Sequence, residues 1–136
     1  YTGHIGIGYI KGYGLKSGAV ATSISHDSHN IIVVGTNDED MAAAVNHIAE
    51  NGGGITVFDG GKCIGDVKLG IAGLMSDDPL IDVNRNLEDA KVRAFELGVS
   101  KLIDPFMTLS FMSLPVIPKL RLTTRGVFDV ESQSYV

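Results

Sequence analysis

Ile31-Ile32-Val33-Val34-Gly35-Thr36-Asn37-Asp38-Glu39-Asp40-Met41 is the stretch on which the fold turns, because the hydrophobic period changes within it. Four β-branched residues and a glycine read as a strand over 31–35. Thr36 and Glu39 then fit a helix capping box, with Thr36 as N-cap and Glu39 returning to its backbone N–H. Acidic residues 38–40 suit the positive end of the helix dipole. Met41, Val45 and Ile48 give one apolar face and Gly52 supplies a left-handed stop, so the helix spans 38–50. Gly54-Ile55-Thr56-Val57-Phe58 is the next strand, Asp59-Gly60-Gly61 a tight turn, and 62–69 its hairpin partner. Strand, helix and strand in this order imply a right-handed parallel crossover.

Upstream, 5–10 and 18–25 are apolar runs separated by Lys11–Lys16 and read as two strands joined by a turn. Downstream, Ser76-Asp77-Asp78-Pro79 opens a second helix with Pro79 at its first position. Leu80, Val83, Leu87, Ala90, Ala94 and Leu97 form its apolar face, and Gly98 closes it. Prolines 105, 115 and 118 break any long helix in the apolar segment 104–118, which reads as a buried strand and turn or as an interface. A last strand falls at 120–123 or 126–130, before a polar tail. The fold class is therefore α+β: a mixed β-sheet with a β-α-β-β unit and two amphipathic helices packed on it. One domain, 1–136, accounts for the chain.

Composition sets limits on partners. The 136 residues suffice for a genuine core, and 44% apolar with 20% charged residues is ordinary for a globular protein. A net charge of −5 gives a phosphate backbone nothing to bind, so nucleic acid is not expected as a partner. No apolar run reaches membrane-spanning length and no segment has a signal-peptide pattern, so neither membrane nor export is expected. The single cysteine, Cys63, excludes an intramolecular disulfide and a cysteine-rich zinc site, and the cytoplasm is the natural compartment. The chain lacks an initiator Met and starts as the interior of a folded region would, so it reads as a fragment of a longer polypeptide.

The chemistry concentrates in Ser25-His26-Asp27-Ser28-His29-Asn30, a polar turn between two apolar strands. His26 and His29 could bind zinc, manganese or iron, but a closed site needs a further ligand such as Asp27 or His4. Equally, Asp27 and Ser28 can make local turn bonds while the imidazoles bond nearby groups. His47, late in the first helix, reads as a surface cation at the negative dipole end. Cys63 reads as a small core residue on a hairpin strand. Gly6-Ile7-Gly8 and Gly12-Tyr13-Gly14 do not complete a dinucleotide-binding G-x-G-x-x-G before a helix. No G-x-S-x-G occurs, and one cysteine cannot supply the H-x-E…P-C-x-x-C pattern of zinc nucleobase deaminases.

Residues 6–19, the segment from Ser25 to Met41, Ala72-Gly73-Leu74-Met75-Ser76, and Asp104-Pro105-Phe106-Met107-Thr108-Leu109-Ser110-Phe111 resemble the C-terminal domain of bacterial adenine deaminase, in the amidohydrolase superfamily. The resemblance runs in order over nearly the whole chain. It implies a metal-dependent hydrolase of purine metabolism that converts adenine to hypoxanthine and ammonia. Its metal-binding barrel is missing here. The divalent metal, manganese or iron with zinc as a further candidate, belongs to that barrel, so no metal is expected within this fragment, nor activity from it alone. The barrel of the same polypeptide and adenine are then the partners of the parent, with a homo-oligomer expected. His26, Asp27 and His29 become catalytic candidates at the active-site rim, and Ser28 and Asn30 substrate-binding candidates. Two other readings stand beside this one. The first is a structural or oligomerisation module using 104–118, with Phe106 and Phe111 at its interface; the second is an autonomous small-molecule-binding domain.

Overall fold

The computed structural model describes residues 3–136. Along the chain come β1 (Ala19–Thr22), β2 (Ile32–Gly35), α1 (Asp38–Glu50), β3 (Gly54–Asp59), β4 (Lys62–Lys68), α2 (Leu80–Glu96), α3 (Pro105–Ser110), β5 (Leu120–Thr123), β6 (Gly126–Asp129) and β7 (Ser134–Tyr135). The first four strands form a sheet in the order β2-β1-β3-β4, and the last three form a smaller one, β5-β6-β7. The class is α+β, as expected, but every adjacent pair is antiparallel. Both β2 and β3 run against β1, hence parallel to one another, with β1 inserted between them. The expected crossover thus survives only in split form. The turn at 25–30 lets β1 and β2 pair directly, and that pairing places β1 in the slot between them.

Side-chain alternation assigns the two faces of the large sheet. Ala19, Ala21 and Phe58 face α1 and pack with Ala44 and Ile48. Val20, Ile32, Ile55, Val57 and Val67 face the other way, onto Ala90, Ala94 and Leu97 of α2 and its end, and onto Phe106 and Leu109 of α3. Each fully buried large aliphatic stabilises the fold by about 1.5–3 kcal/mol.

The helix ends follow from their sequences, with two shifts. Asn37, not Thr36, caps α1: its Oδ1 accepts from the Asp40 N–H at 2.7 Å while its Nδ2 donates to the Asp40 carboxylate at 2.9 Å. Thr36 is engaged elsewhere, its N–H donating to the Gly18 carbonyl at 3.0 Å. Pro79 is the N-cap of α2 rather than its first residue. At the far end of α1, Gly52 takes a φ of 75°, and the N–H groups of Gly53 and Gly52 close on the carbonyls of Ile48 and Ala49. That is a Schellman motif, which a β-carbon at Gly52 would strain.

Three segments differ from expectation. Residues 5–10 form no strand; Ile5, Ile7 and Tyr9 project outward at 84%, 78% and 105% exposure. Gly6 and Gly8 lie against β5 and β6, where a β-carbon on either would press into Thr123 or Val127. The residues alternate, but their apolar side faces away from the core. Segment 104–118 is not a strand: Asp104 caps the short α3, accepting from the N–H groups of Phe106 and Met107, and Pro105 starts the helix rather than breaking it. Phe106 is buried within the domain's own core, which argues against its expected place in an interface. Finally, 120–123 and 126–129 are both strands, joined as a hairpin.

Candidate active-site turn

The turn is anchored before it begins. Beyond β1, Ser23 accepts from the Gly54 N–H at 2.9 Å and donates to the Gly73 carbonyl at 2.6 Å, fixing the exit of the strand. Ser25 is the last buried residue, and its hydroxyl sits between Ser28, at 3.0 Å, and Ser113. Its carbonyl accepts from the His29 N–H at 2.9 Å, and the Ser110 carbonyl accepts from the His26 N–H at 2.9 Å. The backbone is thereby held at both histidines. Residues 26–30 themselves are exposed.

The five candidate side chains divide into two groups. His26 stacks on Phe111, with centroids 5.3 Å apart and planes 16° from parallel, and its Nδ1 lies 3.0 Å from Asp27 Oδ1. With side chains 52% and 83% exposed, this pair adds little stability. What it does is orient the ring, leaving Nε2 for another partner. Ser28, His29 and Asn30 instead line an open groove of about 920 Å³ that His4 also lines, and His29 joins the two groups by sharing a smaller depression with His26 and Asp27. His29 has a φ of 51°, a left-handed conformation that a non-glycine residue holds at a cost of about 1–3 kcal/mol. The bond to Ser25 keeps it there.

As a metal site the turn is limited by its donor set. Among the described residues, His26, Asp27 and His29 do not bring three ligand atoms around one point; the only such group joins His47, Cys63 and Asp66. A divalent ion shared by the turn alone therefore has no closed shell there. The expectations for His47 and Cys63 are both corrected. His47 is partly buried, edge-on to Phe58, with Nε2 3.1 Å from Asp66 Oδ1. Cys63 is exposed rather than in the core, on β4 at the edge of the sheet. Sequence reasoning also missed Phe111 and Ser113 as supports of the turn. Nothing local signals them: Ser113 lies 88 residues from Ser25.

Comparison with known proteins bears on this geometry. Residues 1–134 match the family described as adenine deaminase C-terminal domain. The chain belongs to that family. An adenine deaminase of Bacillus licheniformis is 51% identical over 132 residues, which is 97% of this chain and 23% of the relative. Adenine deaminases of Nitratidesulfovibrio vulgaris strain Hildenborough and Bacillus subtilis are each 52% identical, covering 98% and 96% of this chain and 24% and 23% of theirs. The chain thus spans about a quarter of the length of the curated relatives it matches. As an adenine deaminase C-terminal domain, it has among its described residues no helix long and apolar enough to cross a membrane.

Proposed function

We propose that this domain is the C-terminal part of an adenine deaminase, a hydrolase of the amidohydrolase superfamily acting in cytoplasmic purine metabolism. Residues 1–136 pack as one unit on the metal-binding barrel of the same polypeptide. The observation that carries this reading is the family match over 1–134, with relatives four times as long bearing that name. Support for the docking comes from Ile5, Ile7 and Tyr9, an outward apolar stripe of the kind a neighbouring domain covers.

Adenine and water give hypoxanthine and ammonia. A divalent metal, manganese or iron, held in the barrel supplies activation of the water. The turn lends its side chains to the rim of that site. His29, beside Ser28 and Asn30 on the groove, faces the purine and handles a proton, since the departing amino group must gain one to leave as ammonia and an imidazole can both give and take one. Ser28 and Asn30 hydrogen-bond the ring. His26, fixed by Asp27 and Phe111, is the second imidazole of the rim and holds the shape of the turn.

Steady-state kinetics of the full-length enzyme carrying His29→Asn test this. Asparagine tolerates a positive φ, so the backbone survives while the imidazole is lost. The expected result is a fall in kcat on the order of 10²-fold with an unchanged melting temperature. Wild-type kinetics in both His29→Asn and His26→Ala would leave the domain a packing module only.

A further inference from the structure

We propose that His47, Cys63 and Asp66 form a binding site for a divalent transition-metal ion of the zinc and cobalt class, on the α1 face of the large sheet and separate from the turn. This departs from the expectation that the domain holds no metal.

The site is created by a bulge. Cys63 and Asp66 are three apart on β4, and in a regular strand they would point to opposite faces. The pairing shifts instead: Phe58 pairs with Cys63 and Val57 with Gly65, which leaves Ile64 without a partner. The extra residue returns Cys63 and Asp66 to one face, alongside Phe58 and Thr56 and beneath α1, a known use of bulges. His47 reaches them from the last turn of α1. Its Nε2 lies 3.1 Å from Asp66 Oδ1 and 4.0 Å from Cys63 Sγ, and the three ligand atoms all fall within 4.8 Å of one another.

Those separations suit a small cation. Bonds of about 2.0 Å to nitrogen and oxygen and 2.3 Å to sulfur, at tetrahedral angles, set ligand atoms roughly 3.3–3.7 Å apart. Only the exposed thiol has to close in. A nucleophilic relay is a poor fit to the same residues. Such a relay uses the two different nitrogens of the imidazole, one toward the nucleophile and one toward the carboxylate. Here one nitrogen, Nε2, faces both. Convergence of nitrogen, sulfur and oxygen on one point is what a coordinated ion requires.

The donor set selects the ion. Thiolate and imidazole favour zinc or cobalt over magnesium or calcium. Thr56 Oγ1, 3.4 Å from the sulfur, is a neighbour of the kind that orients a metal ligand, whereas Asn51 Nδ2, 3.0 Å from His47 Nε2, contacts the ligating nitrogen itself and has to give way to the ion. Binding converts the Cys63 thiol and the ion to a metal thiolate and one released proton. Three protein ligands leave a fourth position to solvent.

Titrating this chain with Co²⁺ tests the site. The expected result is one Co²⁺ per chain, with a thiolate-to-cobalt charge-transfer band that Zn²⁺ displaces. Cys63→Ser should abolish the band, and His47→Ala and Asp66→Asn should each weaken binding at least tenfold, with circular dichroism unchanged. No charge-transfer band at saturating Co²⁺ would overturn the proposal. So would a band of equal affinity in His47→Ala and Asp66→Asn, which would mark a lone surface thiol. Adenine turnover does not enter the readout, so the result is independent of the role of the turn.

Discussion

Asp40 shows how much a single side chain can carry. It is buried in the first turn of α1, and its carboxylate accepts from Asn37 Nδ2, from the Gly61 N–H at 2.7 Å and from the Gly60 N–H at 3.3 Å. It therefore ties the start of α1 to the β3–β4 turn. The Asn37 amide, followed by the Gly61 N–H, holds its carboxyl below the usual carboxylate range, outweighing the opposing effect of burial. A depressed folded pKa contributes stability above the unfolded value of about 4 and loses it as pH falls through the folded value. Asp40→Asn should cost about 1–2 kcal/mol near neutral pH. In urea denaturation the gap to wild type should close as the pH is lowered toward about 2, and a constant gap would refute the assignment. Only part of this was legible in the sequence. The acidic first turn pointed to the dipole, yet nothing local showed that Asp40 would reach residues 60 and 61. Thr36 read as the cap, but its N–H donates to the Gly18 carbonyl and Asn37 takes that place.

At the scale of elements, periodicity located the long pieces well. The helix expected at 38–50 is α1, and the second amphipathic pattern is α2. These faces are set by burial, which repeats along the chain. What periodicity missed was set by single residues at pairing sites. The bulge at Ile64 changes which face Asp66 occupies, and its position depends on β3, not on the composition of β4. Gly65, beside the bulge, lets α2 approach β4: a β-carbon there would lie 2.9 Å from Ala90 Cα. The obstacle is backbone, so it cannot rotate away. Gly65→Ala should destabilise the domain by about 1–3 kcal/mol, read as a lower urea midpoint with an unchanged slope. An unchanged midpoint would mean that the α2–β4 contact is looser than its geometry indicates.

At the scale of the whole molecule, the sheet carries α1 on one face and α2 with α3 on the other, and β1 and β2 meet at the turn where the candidate chemistry sits. The residues of that turn were legible as a polar run between apolar strands. Their division was not, because Phe111 stacks under His26 and Ser113 bonds Ser25 from far along the chain. The outward stripe of Ile5, Ile7 and Tyr9 read as part of a strand, since an apolar run alone does not say whether it pairs or which side meets the core. Both features fit the proposed docking of this domain on a barrel of the same polypeptide. The central claim is that residues 26–30 face the substrate in the assembled enzyme. Amide hydrogen exchange on the full-length protein, with and without a saturating competitive purine, tests it most directly. Slower exchange confined to peptides covering 26–30, with α2 unchanged, is the predicted result; identical exchange across 26–30 in both states would contradict it.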